Sequence, residues 1–278
     1  MNKKVSIVIP VYKPNEKVLK KVREMIKKQT IKAELIETWN MPEAKSDNIG
    51  IRKSKGDIII TLSQDCIPEN KYWLEKLIKP LEDKAIVISV SDLILPEYWW
   101  KEYPFLTRIL TLKELSKRRS VMDARACAYR KKDLMKVGLF NEDPKVIGID
   151  TDLYAKLRKL GKIVYPGCSI YHLHTLTNKK TIHLIYNYSE ANGKIVRIYG
   201  KSAKNFWLRI LRATPLIGLI SIIGLFPYKK IKYWYLFLPF LIASLFEHSI
   251  WIYCFWKGFL FNKESIRNKE VLLERDYS

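Results

Sequence analysis

Asp65 is the first residue of this sequence whose setting suggests chemistry. It follows the apolar run Ile58 to Leu62 in Ser63-Gln64-Asp65-Cys66-Ile67-Pro68. A strand therefore ends and delivers one carboxylate into a loop closed by proline. A divalent cation bridging two phosphates needs oxygen ligands of this kind, while a lone Asp after a strand is also a common turn residue. Asp150 and Asp152 form a second acidic position in Ile149-Asp150-Thr151-Asp152-Leu153. A carboxylate held against a hydroxyl can act as a general base; at the start of a helix it can equally serve as a cap. His172 and His174 are two of only four histidines, and at i and i+2 of a strand they share a face and could point at one site. Arg118, Arg119 and Arg125 could bind phosphate or simply solvate the surface. Trp99, Trp100 and Tyr103 could stack on a sugar, touch lipid, or form a packed core under a loop.

The elements that must position these residues are legible as alternating strands and helices. Val5 to Pro10 is a short β-branched run stopped by proline, which reads as a buried parallel strand. Val18, Leu19, Val22, Met25 and Ile26 repeat at helical spacing, with lysines on the other face. Ala33 to Thr38 reads as a strand, Ala44 to Lys55 as a short polar helix or loop around Gly50, and Asp57 to Leu62 as a second strongly apolar strand. A helix from Tyr72 and a strand from Ala85 to Val90 follow. Further strands fall at Ala126 to Arg130 and Ile163 to Tyr165, with a helix from Leu153 to Leu160 closed by Gly161. This order predicts an α/β fold on βαβ units with a mostly parallel sheet. Ligands in such sheets sit at the carboxyl ends of the strands, so the loops after Ile9, Thr38 and Leu62 should line a site.

Composition changes after about residue 200. Ala213 to Tyr228 carries no charge, and Tyr233 to Trp256 is an apolar stretch with aromatic ends. As a helix the second is ~36 Å long, enough to cross a ~30 Å hydrocarbon core, and the aromatic ends suit interfacial belts. Glu247 and His248 inside it, and Lys229, Lys230 and Lys232 before it, leave a spanning hairpin and an interfacial anchor both open. Lys and Arg number 50 against 28 acidic residues, a formal net charge of +22. That balance suits an anionic membrane face or a solvated lysine-rich surface. Nucleic acid is not an expected partner, because no reading motif accompanies the charge. Cys66, Cys127, Cys168 and Cys254 form no Cys-x-x-Cys pair and suggest neither a disulfide framework nor a metal site. With a polar Met1 to Lys4 and an apolar run too short for a signal h-region, a cytoplasmic catalytic part is expected.

The ordered set of motifs resembles glycosyltransferase family 2, which has the GT-A fold. It comprises Val5 to Tyr12, Asn48-x-Gly50, the strand into Ser63-Gln64-Asp65, Ala128-Tyr129-Arg130, Val137 to Glu142, Asp150-Thr151-Asp152-Leu153 and Tyr171-His172-Leu173-His174. The resemblance, which covers about residues 4 to 200, implies a GT-A domain over 1–200; the composition beyond it is read as a membrane-associated helical hairpin over 201–261 and a polar tail over 262–278. It implies that Pro10, Tyr12 and Glu37 hold the nucleotide base and that Asn48 and Arg52 lie near the donor. Ser63-Gln64-Asp65 takes the place of the family's Asp-x-Asp metal motif, with Ser in its first position, and resembles the Thr-Gln-Asp of rhamnosyltransferase-like members. Asp65, His172 and His174 would hold Mg²⁺ or Mn²⁺. Asp150 matches the catalytic base, with Ile149 where a Glu usually precedes it. The implied protein is an inverting glycosyltransferase of the cell membrane, its catalytic domain on the cytoplasmic side. It would move a hexosyl or deoxyhexosyl group from a nucleotide-diphosphate donor to a lipid-linked glycan. The departures at Ser63 and Ile149 motivate an alternative, a membrane-anchored nucleotide-sugar-binding or scaffold protein with a degenerate GT-A fold.

Overall fold

The computed structural model describes residues 4–116, 124–142, 149–202 and 205–261. Arg118, Arg119 and the tail over 262–278 lie outside the described residues. In chain order the elements are β1 (Val5–Val11), α1 (Glu16–Lys27), β2 (Glu34–Trp39), α2 (Glu43–Lys53), β3 (Ile58–Leu62), β4 (Cys66–Pro68), α3 (Trp73–Ile78), β5 (Ile86–Val90) and β6 (Asp92–Ile94). Next come α4 (Glu97–Lys101), α5 (Phe105–Thr111), β7 (Ala126–Arg130), α6 (Lys131–Lys136), α7 (Ile149–Leu157), β8 (Lys162–Val164) and β9 (Ser169–His172). Four helices follow: α8 (Asn178–Tyr199), α9 (Phe206–Arg212), α10 (Ile217–Ile223) and α11 (Phe237–Leu260). The chain divides into two compact units. The first is drawn from Met1–Ile94 and Arg118–Leu173, the second from Leu95–Lys117 and His174–Glu264.

The first unit is an α/β sheet with strand order β2-β1-β3-β7-β5-β8. Strand β1 runs parallel to β2 and β3, and β5 runs parallel to β8. Strand β7 is antiparallel to both β3 and β5, so five of the six strands run the same way and the sheet is mostly parallel with one reversed strand. Both β1 and β3 are buried on their two faces, as their uninterrupted β-branched runs require of central strands. Asn15 caps α1 by accepting from the Val18 amide, and the helix turns Val18, Leu19, Val22 and Ile26 inward. Segment 43–53 is a helix, and Gly50 is what lets it close on β1: a Cβ there would run into the Val8 side chain. Helix α7 anchors through Leu153 and Leu157 in the main core. It ends at Leu157, three residues short of the periodic pattern. Gly161 sits where a Cβ would collide with the Ala85 carbonyl, so its role is close approach to the start of β5. A second, small sheet of order β4-β9-β6 completes this unit.

The second unit is helical. Trp100, Tyr103, Ile109, Leu110, Phe226, Tyr233 and Phe240 form its core. The Trp100 and Tyr103 side chains donate to the carbonyls of Arg108 and His174, at 3.1 and 2.6 Å. Of the three roles open to this aromatic group, the packed core is the one observed for these two residues. The uncharged run Ala213 to Tyr228 is not one helix. Pro215 cannot continue α9 and Leu216 takes φ +62°, so α9 and α10 meet at 101°. Among the described residues one helical stretch, Ile231–Leu260, is long and apolar enough to cross a membrane.

Candidate active site

The loop after β3 is built by register. Leu62 pairs with Ala126 across the antiparallel ladder, and the next amide, Ser63, donates to the Arg125 carbonyl at 2.9 Å. The Ser63 carbonyl accepts from the Cys66 amide at 3.0 Å, which turns the chain directly into β4. Gln64 then ties this turn to the end of β1: its Nε2 donates to the Tyr12 carbonyl and its Oε1 accepts from the Tyr12 amide, both at 2.9 Å. Two hydrogen bonds from one rigid amide fix both position and orientation, so the loops after β1 and β3 move as one piece.

Asp65 is thereby placed beside β9. Cys66 stands directly opposite His172 in the β4–β9 ladder, and the Leu173 amide donates to the Asp65 carbonyl at 2.9 Å. The Asp65 Oδ2 and His172 Nε2 atoms are 3.3 Å apart, with the two side chains 26 % and 17 % exposed. Ligand atoms of Asp65, Cys66 and His172 all lie within 4.8 Å of one another. Arg125 Nη1 lies 3.4 Å from His172 Nδ1. A guanidinium has only donors, so in this contact Nδ1 can only accept.

Cys66 was assigned nothing from the sequence, because no cysteine has a spaced partner. Its place in this group follows from a cross-strand register that sequence spacing does not encode. The strand ends at His172, so the two-residue alternation does not extend to His174, which falls in the second unit and whose carbonyl accepts from Trp99 and Tyr103.

The other candidate positions are also tied into place. Pro10 stands opposite Thr38 one residue before the end of β1, and Glu37 stands opposite Ile9. The Glu37 carboxylate takes two hydrogen bonds from Arg23, at 2.6 and 2.7 Å. Asn48 is buried in α2. Its amide nitrogen donates to the Phe140 carbonyl at 2.9 Å and to Glu142 at 2.7 Å, while its oxygen accepts from the Phe140 amide at 3.0 Å. Arg52, half exposed, lies 3.7 Å from the same Glu142. Asp150 and Asp152 both stand in the first turn of α7. Asp152 is ion-paired with Lys156 one turn on, at 2.6 Å. Asp150 accepts from the Thr151 amide at 2.9 Å and is partly exposed.

Comparison with known proteins bears on this arrangement. Residues 37–138 match the family described as glycosyl transferase family 2. That range runs from β2 through α6 and includes Asn48, Arg52 and Ser63 to Asp65. No curated protein matches the sequence. Among solved structures, the mannosyltransferase PcManGT from Pyrobaculum calidifontis, in complex with GDP-Man and Mn²⁺, superimposes with TM-score 0.52 at 14 % identity, covering 89 % of this chain and 87 % of that one. GalNAc-T7 with UDP, GalNAc and Mn²⁺ gives TM-score 0.49 at 15 % identity, covering 77 % of this chain and 51 % of that one. TarS 1–349 of S. aureus gives 0.43 at 12 % identity over 91 % of this chain and 90 % of the other. The mixed sheet and its likeness to PcManGT define the fold as GT-A. With the glycosyl transferase family 2 match over 37–138, the protein is a glycosyltransferase, as the order of its motifs had implied.

Proposed function

We propose that this enzyme transfers a hexosyl or deoxyhexosyl group from a nucleotide-diphosphate sugar to a membrane-proximal acceptor, a lipid-linked glycan, with inversion at the anomeric carbon. The observation that carries this reading is the Asp65–Cys66–His172 group at the carboxyl end of β3, on a turn that Gln64 locks to Tyr12. That is where an α/β sheet receives its ligand. One carboxylate and one imidazole fit a borderline cation such as Mn²⁺, with few enough protein ligands that phosphate oxygens can complete the shell. Asp65 and His172 would hold it. When bound, the cation neutralises charge developing on the departing diphosphate. The chain's own residues do the rest. Pro10, Tyr12 and Glu37 border the base and Arg52 borders the donor, while Asn48 is a positioning residue that holds α2 to the Phe140 backbone and Glu142. The Asp150 carboxylate takes the proton from an acceptor hydroxyl as that oxygen forms a bond to the anomeric carbon. The bond from that carbon to the diphosphate breaks, and the nucleotide leaves with the electron pair.

The acceptor assignment rests on the apolar second unit, which would keep the enzyme at the cytoplasmic face of the cell membrane. The test is a transfer assay with the purified chain, a panel of UDP-, GDP- and dTDP-linked sugars including rhamnose, and membrane lipid extract as acceptor. It is run with Mg²⁺, Mn²⁺ or a chelator. The expected result is transfer from one donor, stimulated by metal, into a lipid-extractable product of inverted configuration. Donor binding without transfer or nucleotide release from any donor would overturn this reading in favour of a binding protein on the same fold.

A further inference from the structure

We propose that the second unit rests on one face of an anionic lipid bilayer with α11 lying in the plane of the interface, not crossing it. This deepens the membrane attachment proposed above and rests on it. The surface of α11 is divided in two. Leu238, Ile242, Leu245, Phe246, Tyr253 and Leu260 are exposed on one side of the helix and, with exposed Ser249 and Lys257 between them, form one largely apolar stripe along it. The opposite stripe is buried and contains Glu247 and His248. Helices α9 and α10 also expose apolar side chains, Trp207, Leu211, Ile217 and Ile220.

What lies against the buried stripe decides the orientation. Helix α8 packs along α11 at backbone distance: a Cβ at Gly193 would meet the Phe255 carbonyl, and one at Gly258 would meet the Glu190 carbonyl. Ionic contacts tie this stretch to its surroundings at three levels. Lys232 pairs with Glu97 at 2.6 Å. Glu247 pairs with Lys113 at 2.5 Å and Arg212 at 2.8 Å. Glu190 pairs with Lys194 at 2.8 Å and Lys257 at 3.2 Å. A helix of this length is ~36 Å long and a hydrocarbon slab is ~30 Å thick. Any crossing would therefore enclose Glu247 together with Lys113, Arg212 and the segment of α8 alongside. Helix α8 carries Lys179, Lys180, Asn187, Glu190, Asn192 and Lys194, too polar a helix for lipid. An in-plane placement puts the apolar stripe in the headgroup–acyl boundary and leaves the polar side on protein. Charge points to the same occupant. From His174 to Phe261 the sequence has twelve Lys and Arg against two acidic residues, and both of those, Glu190 and Glu247, are already ion-paired. The surplus suits anionic headgroups.

Lys229 precedes α11 and Lys257 stands near its end, so a crossing would place them on opposite sides. The experiment expresses full-length Lys229→Cys and Lys257→Cys variants and labels right-side-out and inverted membrane vesicles with a membrane-impermeant maleimide. The wild-type chain is the blank, since its four cysteines are buried, and detergent-solubilised samples give full labelling. The expected result is that both variants label only in inverted vesicles. Labelling of one variant in each orientation would overturn the in-plane placement and leave membrane attachment standing. Labelling of both only in right-side-out vesicles would keep the placement and overturn the cytoplasmic assignment. Recovery of the chain in the soluble fraction would overturn attachment and placement together.

Discussion

Two carboxylates show how differently the two units use charge. Asp65 in the first unit is 26 % exposed, and its neighbours His172 and Cys66 are groups that can share a cation with it. Glu247 in the second unit is 6 % exposed and lies against the ammonium of Lys113 and the guanidinium of Arg212. A partly exposed carboxylate among neutral ligands can take a new partner with little rearrangement. One saturated by two cations cannot, because its counter-charges would be left buried without compensation. The first arrangement suits chemistry and the second suits holding helices together. The contrast predicts that substitutions at His172 and at the Asp150 base change activity at constant stability and that those at Glu247 do the reverse.

The largest effect is expected at Asp150. Asp150→Asn should lower turnover by about 10³-fold, within the range removed with a general base, while the midpoint of thermal unfolding and the donor affinity stay near wild type. Steady-state transfer and calorimetric donor binding measure the two sides. Turnover near wild type would remove Asp150 as the base and would place the chemistry elsewhere in the first unit.

Glu247 should give the complementary result. Glu247→Leu leaves the Lys113 ammonium buried without its partner, and breaking such a pair costs about 3–5 kcal/mol. The double variant Lys113→Met/Glu247→Leu should recover most of that loss, since replacing a buried pair with apolar side chains is often neutral. Denaturant unfolding in detergent reads both. If the double variant is as unstable as the single one, Arg212 and not Lys113 is the partner that matters.

How far this contrast was legible in the sequence depends on whether the partners are local. β1, β3 and α1 could be placed from their own side-chain patterns, because a buried central strand and an amphipathic helix each impose a period on neighbouring residues. The direction of β7 could not, since Ala126 to Arg130 reads the same whether it runs parallel or antiparallel to β3. Asp65 was identified from its place after a strand, but Cys66 was not. Its proximity to His172 depends on a register joining residues more than a hundred positions apart. Glu247 was conspicuous in an apolar helix, yet its partners lie 134 and 35 residues away. Pro215 marked the break between α9 and α10, although the uncharged run around it suggested continuity. His174 was placed with His172 by assuming a strand two residues longer than β9.

Asn48 allows the comparison to be tested within the first unit. The family resemblance puts it near the donor, whereas its side chain is engaged with the Phe140 backbone and Glu142. Asn48→Ala leaves buried backbone groups unsatisfied and should destabilise the fold by about 2 kcal/mol, with the donor KM changing little in the folded fraction. A raised KM at unchanged stability would give Asn48 to the donor. A smaller effect is expected for His172→Ala. The concentration of Mn²⁺ giving half-maximal activity should rise by about tenfold, equivalent to about 1.4 kcal/mol, with stability retained. An unchanged metal dependence would remove His172 from the ligand set.

The smallest effect concerns Glu34, a first-unit carboxylate whose work is structural. The Lys55 amide at 2.9 Å and the Ser6 hydroxyl at 2.6 Å donate to it, and the Lys55 amide foremost holds its pKa below the ordinary carboxylate value. A group whose folded pKa is depressed contributes stability above its unfolded pKa and loses it as pH falls through the folded value. Wild type should therefore be more stable than Glu34→Gln at pH 6, by about 0.5 kcal/mol for so accessible a site. The gap should narrow as the pH is lowered through the acidic range. Glu97 in the second unit, held at about 2 by Lys232, Tyr233 and Lys101, should keep its advantage over Glu97→Gln to lower pH than Glu34 does. Parallel unfolding curves of the two variants across that range would show whether hydrogen bonds from an amide and a hydroxyl or from an ammonium protect a carboxylate further into acid. Gaps that close together would mean that the two units hold their structural carboxylates equally.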